Sequence, residues 1–245
     1  MRSLTDYYGS ELAAYREYLG AASRKPTVEV VHELRLAIKK LRTLYRLGEY
    51  SDTTFEHKNH TTPFASIFSR AGALRDLDVT LELLAKQKRK LVPASLVRSL
   101  KKQRRHYRKS IKAKAARARS RAAEDKSLRH ELEGISTTIV EGFLAAINSE
   151  LHALGADRLS NKRLHRVRKL YKRYGYATEA APVPVQQAQL PHLKQRQQLI
   201  GRWHDCRRAT AILKEADSPP RLLRHFKKAE KKHRKKIIAE IGVKL

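Results

Sequence analysis

At 245 residues, with 54 Lys and Arg against 24 Asp and Glu and a formal net charge of +30, the chain is long enough to bury a core and basic enough to repel itself without an anionic partner. The single cysteine, Cys206, excludes an internal disulfide, a cysteine zinc site and a thiol redox pair, and fits a reducing compartment. A hydrophobic content of 41% with apolar residues at helical spacing excludes a disordered basic tail, so the charge sits on folded elements.

Glycine and proline are scarce and Leu, Ala, Arg, Lys and Glu abundant, which predicts an all-α protein of about eight helices: 4–22, 27–49, 63–90, 94–118, 128–154, 160–179, 188–216 and 219–241. The first helix follows an N-terminus without the apolar run of a signal peptide, and no later stretch reaches membrane-span length. A cytoplasmic protein with no membrane partner is expected. Breaks are expected at Pro26, the polar run Ser51 to Pro63, Pro93, the segment near Ala123 to Lys126, Gly155, the Pro182-Val183-Pro184 stretch and Pro219-Pro220.

The second helix, with Thr27 as its candidate cap, carries the first informative pattern. With His32 at zero on a wheel of about 100° per residue, Arg35, Lys39 and Arg42 share an arc of about 80° with it. Val30, Leu34, Ala37, Ile38, Leu41 and Leu44 make the opposite, core-facing stripe. In the third helix, Leu74-Arg75-Asp76-Leu77-Asp78 places acids in a basic protein. The fourth carries a further row, Lys101, Arg104, Arg105, Arg108 and Lys112, at spacings of three and four.

The sixth helix repeats the second. His32-Glu33-Leu34-Arg35-Leu36-Ala37-Ile38-Lys39-Lys40-Leu41 aligns without a gap on His165-Arg166-Val167-Arg168-Lys169-Leu170-Tyr171-Lys172-Arg173-Tyr174. Arg168, Lys169 and Lys172 form the second row, while Val167, Leu170, Tyr171 and Tyr174 face away from it. A weaker match follows in the seventh helix, where Gly201-Arg202-Trp203-His204-Asp205-Cys206 stands about where Ala73 to Asp78 stood. The last helix, with Ser218 as candidate cap and Pro219 in its first turn, supplies Arg224, Lys228, Lys231 and Lys235 on one face and Leu222, Phe226, Ala229 and Ile237 on the other.

Each half thus supplies two basic rows, as a duplicated four-helix unit would, with halves 1–122 and 123–245 meeting near residues 119–127. Like charges at this spacing each oppose helix formation by about 0.2–0.5 kcal/mol per pair, a cost a bound polyanion would relieve. Arg grips phosphate oxygens with a planar fork, Lys supplies a mobile charge, and His becomes a cation as pH falls.

The duplicated His-x-x-Arg-x-x-x-Lys helix, the Leu74-Arg75-Asp76-Leu77-Asp78 motif and Gly201-Arg202-Trp203-His204-Asp205 together resemble the CHAD, or conserved histidine α-helical, domain family, over nearly the whole of residues 1–245. The resemblance implies two four-helix bundles related by pseudo-twofold symmetry around a basic central groove or pore, and inorganic polyphosphate as ligand. Carried over, the motif positions are His32, Arg35, Lys39, Lys40 and Arg42, then His165, Arg168, Lys172 and Arg173. The repeat departs at Gly175, which stands where Arg42 predicts a cation, with Lys169 available to compensate. CHAD domains often occur beside triphosphate tunnel enzymes. This sequence has no such β-rich segment, so a polyphosphate-metabolising partner would be a separate chain.

The sharper alternatives are weaker. No second His or carboxylate lies three or four residues from His32 or His165 on the basic face, so no metal is expected there, and no cofactor. Arg75, Asp76, Asp78, Arg202, His204 and Asp205 are read as supporting residues, the acids capping helices or orienting Arg side chains rather than acting in phosphoryl transfer. Adjacent His204, Asp205 and Cys206 point in different directions and cannot converge as a nucleophile site. A non-catalytic polyphosphate-binding module is the leading expectation. A nucleic-acid backbone binder, acting at low salt, is the alternative, and a polyphosphate-processing enzyme is third. Truncating Arg35 and Arg168 together is expected to weaken binding without altering helicity or melting.

Overall fold

The computed structural model describes residues 3–119, 122, 124–155, 160–181 and 190–241. These form nine α-helices and no strand: α1 (Leu4–Arg24), α2 (Val28–Ser51), α3 (His57–Ala85), α4 (Ala94–Arg119), α5 (Lys126–Gly134), α6 (Thr137–Gly155), α7 (Asn161–Ala180), α8 (Leu190–Glu215) and α9 (Pro220–Ile241), with a short 3-10 turn at Arg89–Leu91. The all-α expectation holds. The expected break at Pro182-Val183-Pro184 lies outside the described residues, as do positions 120, 121 and 123 of the expected boundary between halves.

Local chemistry sets most helix ends. Ser3 and Asp6 form a capping box at the start of α1, Thr27 accepts from the Val30 amide to cap α2, and Ser160 caps α7 through the Arg163 amide. Three boundaries differ from expectation. The stretch 128–154 is two helices: Asp125 caps α5, and Ser136 accepts from the Ile139 amide at 3.3 Å to start α6 afresh. α3 begins at His57 rather than Pro63, so Pro63 lies inside a helix. Ser218 does not cap α9: the Leu222 and Leu223 amides bond the Pro219 carbonyl, and the Ser218 hydroxyl is buried without a hydrogen-bond partner.

α1 to α4 close as a four-helix bundle, α1 packing on both α2 and α4 and α3 on both α2 and α4. In the second half α6, α7, α8 and α9 pack in sequence. The two sets meet through α2 on α7 and α3 on α8, and one core passes through both, from Leu19, Leu34 and Ile38 to Val167, Ile200 and Trp203, all fully buried. A smaller cluster, including Leu77, Leu100, Leu213 and Phe226, ties α3 and α4 to α8 and α9. These neighbour relations are compatible with a duplication. No helix among the described residues is long and apolar enough to cross a membrane.

Candidate polyanion-binding seam between α2 and α7

The apolar stripe of α2 goes where its period requires, with Leu34, Ile38 and Leu41 fully buried, which turns Arg35 and Lys39 toward α7. Val167 and Leu170 are buried in the same way on α7 and turn Arg168 and Lys172 toward α2. The four cations meet in the packed seam. Burial, followed by the charges of Lys172, Arg35, Arg168 and Arg75, depresses the Lys39 ammonium to about 6. Lys172 falls to about 8 through burial and Arg168, and Arg35 to about 10, burial leading again. Arg168 is lowered by burial, with Asp205, Tyr176 and Asp76 acting in the other direction. These are cations short of counter-charge in a partly desolvated place, where an added anion lowers the energy most.

The histidines stand beside the cations of the seam, more exposed to solvent. His32 has a half-exposed side chain and is lowered by burial and by Arg75 of α3. His165 stacks on His204 of α8, with ring centroids 5.7 Å apart, and is lowered by burial and His204. Both imidazoles gain a proton more readily once an anion lies beside them.

The acids divide their work. Asp76 accepts a hydrogen bond from Arg208 Nε at 2.7 Å, bridging α3 to α8, and also acts on Arg35 and Arg168. Asp205 acts on Arg168 and Lys172. Thus His32 meets Arg75 as His165 meets His204, and Arg35 meets Asp76 as Arg168 meets Asp205. The contacts pair Arg75-Asp76 with His204-Asp205 and so set the register of the weaker match between the two segments. Asp78 sits deeper, its carboxyl pushed up by burial against the pull of Arg108, Arg104 and Arg75, with Arg104 at 3.6 Å.

Several sequence-predicted residues lie elsewhere. Lys40 bonds Glu11 at 3.0 Å and Glu179 at 2.5 Å, tying α1, α2 and α7 together rather than facing the seam. Its counterpart Arg173 is likewise diverted, depressed to about 10 by burial and Arg46, with Glu150 and Glu49 opposing. Arg42 lies over the Phe68 ring at 5.3 Å, while Lys169 is exposed near His165. On α4 the row splits: Arg104 and Arg108 turn to Asp78, while Lys101, Arg105 and Lys112 are exposed. On α9, Arg224, Lys228, Lys231 and Lys235 are exposed, and none appears among the charges acting on the seam. Arg202 is exposed and faces His233 of α9. The four rows therefore do not converge equally; two make the seam and two lie outside it.

Sequence reasoning missed Phe68, Gly72 and Tyr176. Arg35 Nη1 donates to the Phe68 carbonyl at 2.8 Å and its guanidinium lies 4.5 Å over the Phe68 ring. Tyr176 lies near both Arg35 and Arg168. Nothing local in the sequence marks them, because their partners are on other helices. Among the described residues no group of three or more His, Cys, Asp or Glu is placed to hold a metal ion.

No curated protein matches the chain in sequence. Among solved structures, the CHAD domain from the plant Ricinus communis superposes with a TM-score of 0.69 at 18% identity, covering 97% of this chain and 90% of that one. PptA from Streptomyces chartreusis superposes with a TM-score of 0.69 at 16% identity, covering 97% of each. The family model of the CHAD domain matches residues 7–214, a span that includes both basic rows and the acids behind them, and the chain belongs to the CHAD domain family.

Proposed function

We propose that the protein is a non-catalytic binding module for inorganic polyphosphate, which it holds along the seam between α2 and α7. The observation that carries this reading is the meeting of Arg35, Lys39, Arg168 and Lys172 in one partly desolvated place with fewer acids than cations. A row of phosphates supplies regularly spaced negative charge without bases to be read, which is what cations along two facing helices accommodate. Lys101, Arg105 and Lys112 on α4 and the α9 row extend the positive field outside the seam and speed encounter more than they hold ligand. The same proposal has the module working in the cytoplasm or on polyphosphate granules, alongside a separate polyphosphate-metabolising enzyme.

Competition tests it. Labelled polyphosphate is bound at physiological salt, and single-stranded RNA is added at equal phosphate concentration. Retention of polyphosphate supports the reading, whereas displacement by RNA means that the seam takes nucleic-acid backbone instead. Incubation with polyphosphate and magnesium should leave chain length unchanged. Shortening would make the protein an enzyme.

A further inference from the structure

Arg35 is held more firmly than any other cation of the seam, and a glycine makes the place for it. A Cβ built on Gly72 of α3 would stand 2.8 Å from Arg35 Nη1, a separation that real side chains do not tolerate without a shift. The guanidinium fills the space left by the missing methyl, donates Nη1 to the Phe68 carbonyl at 2.8 Å and rests on the Phe68 ring. The other face of the site offers a contrast. Gly201 of α8 occupies the matching place when Asp76 is paired with Asp205, and a Cβ there would meet nothing within 4 Å. Arg168, the counterpart of Arg35, has a buried Nε without a hydrogen-bond partner.

We propose that Gly72 and Phe68 are positioning residues for the polyphosphate site: together they fix the Arg35 guanidinium in advance with its remaining donors toward the seam, so that the first phosphate contact is made by a preorganised fork. This rests on the polyphosphate reading above. One Nη1 hydrogen goes to the carbonyl, and four of the five donors stay free for ligand. The ring and carbonyl restrict the side chain before the ligand arrives, so less conformational freedom is lost on binding. Gly72 is also a poor helix former in the middle of a helix, a cost that the close approach of Arg35 explains.

The experiment measures polyphosphate affinity across a salt series, together with thermal melting in the absence of ligand, for the unsubstituted protein, Gly72→Ala, Gly201→Ala, Phe68→Leu and Arg35→Met. Gly72→Ala is expected to weaken binding about two- to tenfold and to shallow the salt dependence by about one phosphate contact, while its melting temperature stays about level, the helix preference of alanine offsetting the loosened contact of Arg35 with Phe68. Gly201→Ala should bind normally. Phe68→Leu should follow Gly72→Ala in binding, and adding Gly72→Ala to Arg35→Met should change binding no further. A Gly72→Ala protein with the affinity and salt slope of Gly201→Ala overturns this inference alone. An equal further loss in the Arg35→Met background overturns it too. No polyphosphate binding by the unsubstituted protein overturns the functional reading and this inference with it.

Discussion

The two halves of the chain carry the same basic motif and use it differently. In the first, Arg35 is bonded to a carbonyl, stacked on a ring and fitted against a glycine. In the second, Arg168 keeps an Nε without a hydrogen-bond partner, and a Cβ on the matching Gly201 would meet nothing within 4 Å. The difference extends along the row. Arg42 lies over Phe68, whereas its counterpart Gly175 has been given up to packing: a Cβ there would press within 3.0 Å of Gln197, which donates to the Tyr171 carbonyl at 2.8 Å. The second half therefore exchanges a cation for a close approach of α8 to α7. A duplicated motif fixes where charge is placed, while the neighbouring helices decide whether each charge is rigid, mobile or absent.

The largest expected effect comes from removing the motif arginine in both halves. Arg35→Ala with Arg168→Ala should weaken polyphosphate binding on the order of 100-fold or more, since hydrogen bonds to charged groups contribute about 1.5–3 kcal/mol each. Titration of the double variant beside both single variants checks this. If either single variant accounts for the whole loss, the ligand uses one half only.

Next in size is Lys40, the motif residue that the fold has diverted. Lys40→Met leaves Glu11, whose side chain is 12% exposed, without its cation, and should cost about 3 kcal/mol of unfolding free energy. Polyphosphate affinity should stay within about twofold, the small remainder coming from lost net charge. Denaturant unfolding and titration of the same preparation separate the two. A strong loss of affinity with unaltered stability would return Lys40 to the binding row.

A smaller effect tests the asymmetry directly. Arg35→Ala removes the second donor of the Phe68 carbonyl, which also accepts the helical Gly72 amide, and should lower stability by about 1 kcal/mol, whereas Arg168→Ala removes a cation with no bonded Nε and should leave stability level or raise it. This departs from the sequence-based expectation that truncating both would not touch melting. The contacts of Arg35 with α3 are the reason. Equal denaturant midpoints for the two variants would mean that the contacts to Phe68 contribute nothing.

The rows on α2 and α7 were legible in the sequence because a helical face is a local property: the stripe through Leu34, Ile38 and Leu41 fixes which side of α2 is buried and so which side holds Arg35 and Lys39. The start of α3 was not legible, because Pro63 reads as a breaker and Glu56 makes no side-chain cap bond. Side-chain hydrogen bonds hold those first turns, His57 to Glu49 of α2 at 2.6 Å and His60 to Asp125 at 2.8 Å, and the second joins residues too far apart in the chain for local pattern to reveal. The unequal standing of the four rows has the same origin. That Arg104 turns to Asp78, or Lys40 to Glu179, depends on which helix lies alongside.

The last effect is the most specific to the seam. Lys39 is depressed to about 6 in the folded protein from an ordinary 10.5. Between those values the unfolded chain holds a proton that the fold has released, so stability rises with pH across this window, and the penalty is fully present only below about pH 6. Melting temperature should therefore climb between pH 6 and pH 9, Lys39→Met should remove most of the climb and leave the part above about pH 8 that Lys172 supplies, and Lys39→Met should be the more stable protein at pH 6. Polyphosphate reverses the balance, because its charge beside Lys39, Lys172 and the neighbouring Arg35, Arg168, Arg75 and His32 favours the protonated ammonium. Binding at pH 7.5 should then take up protons, and its calorimetric heat should differ between Tris and PIPES in proportion to their ionisation enthalpies. Identical heats in both would mean that the ligand does not reach Lys39, and the binding site would have to be sought outside the α2–α7 seam.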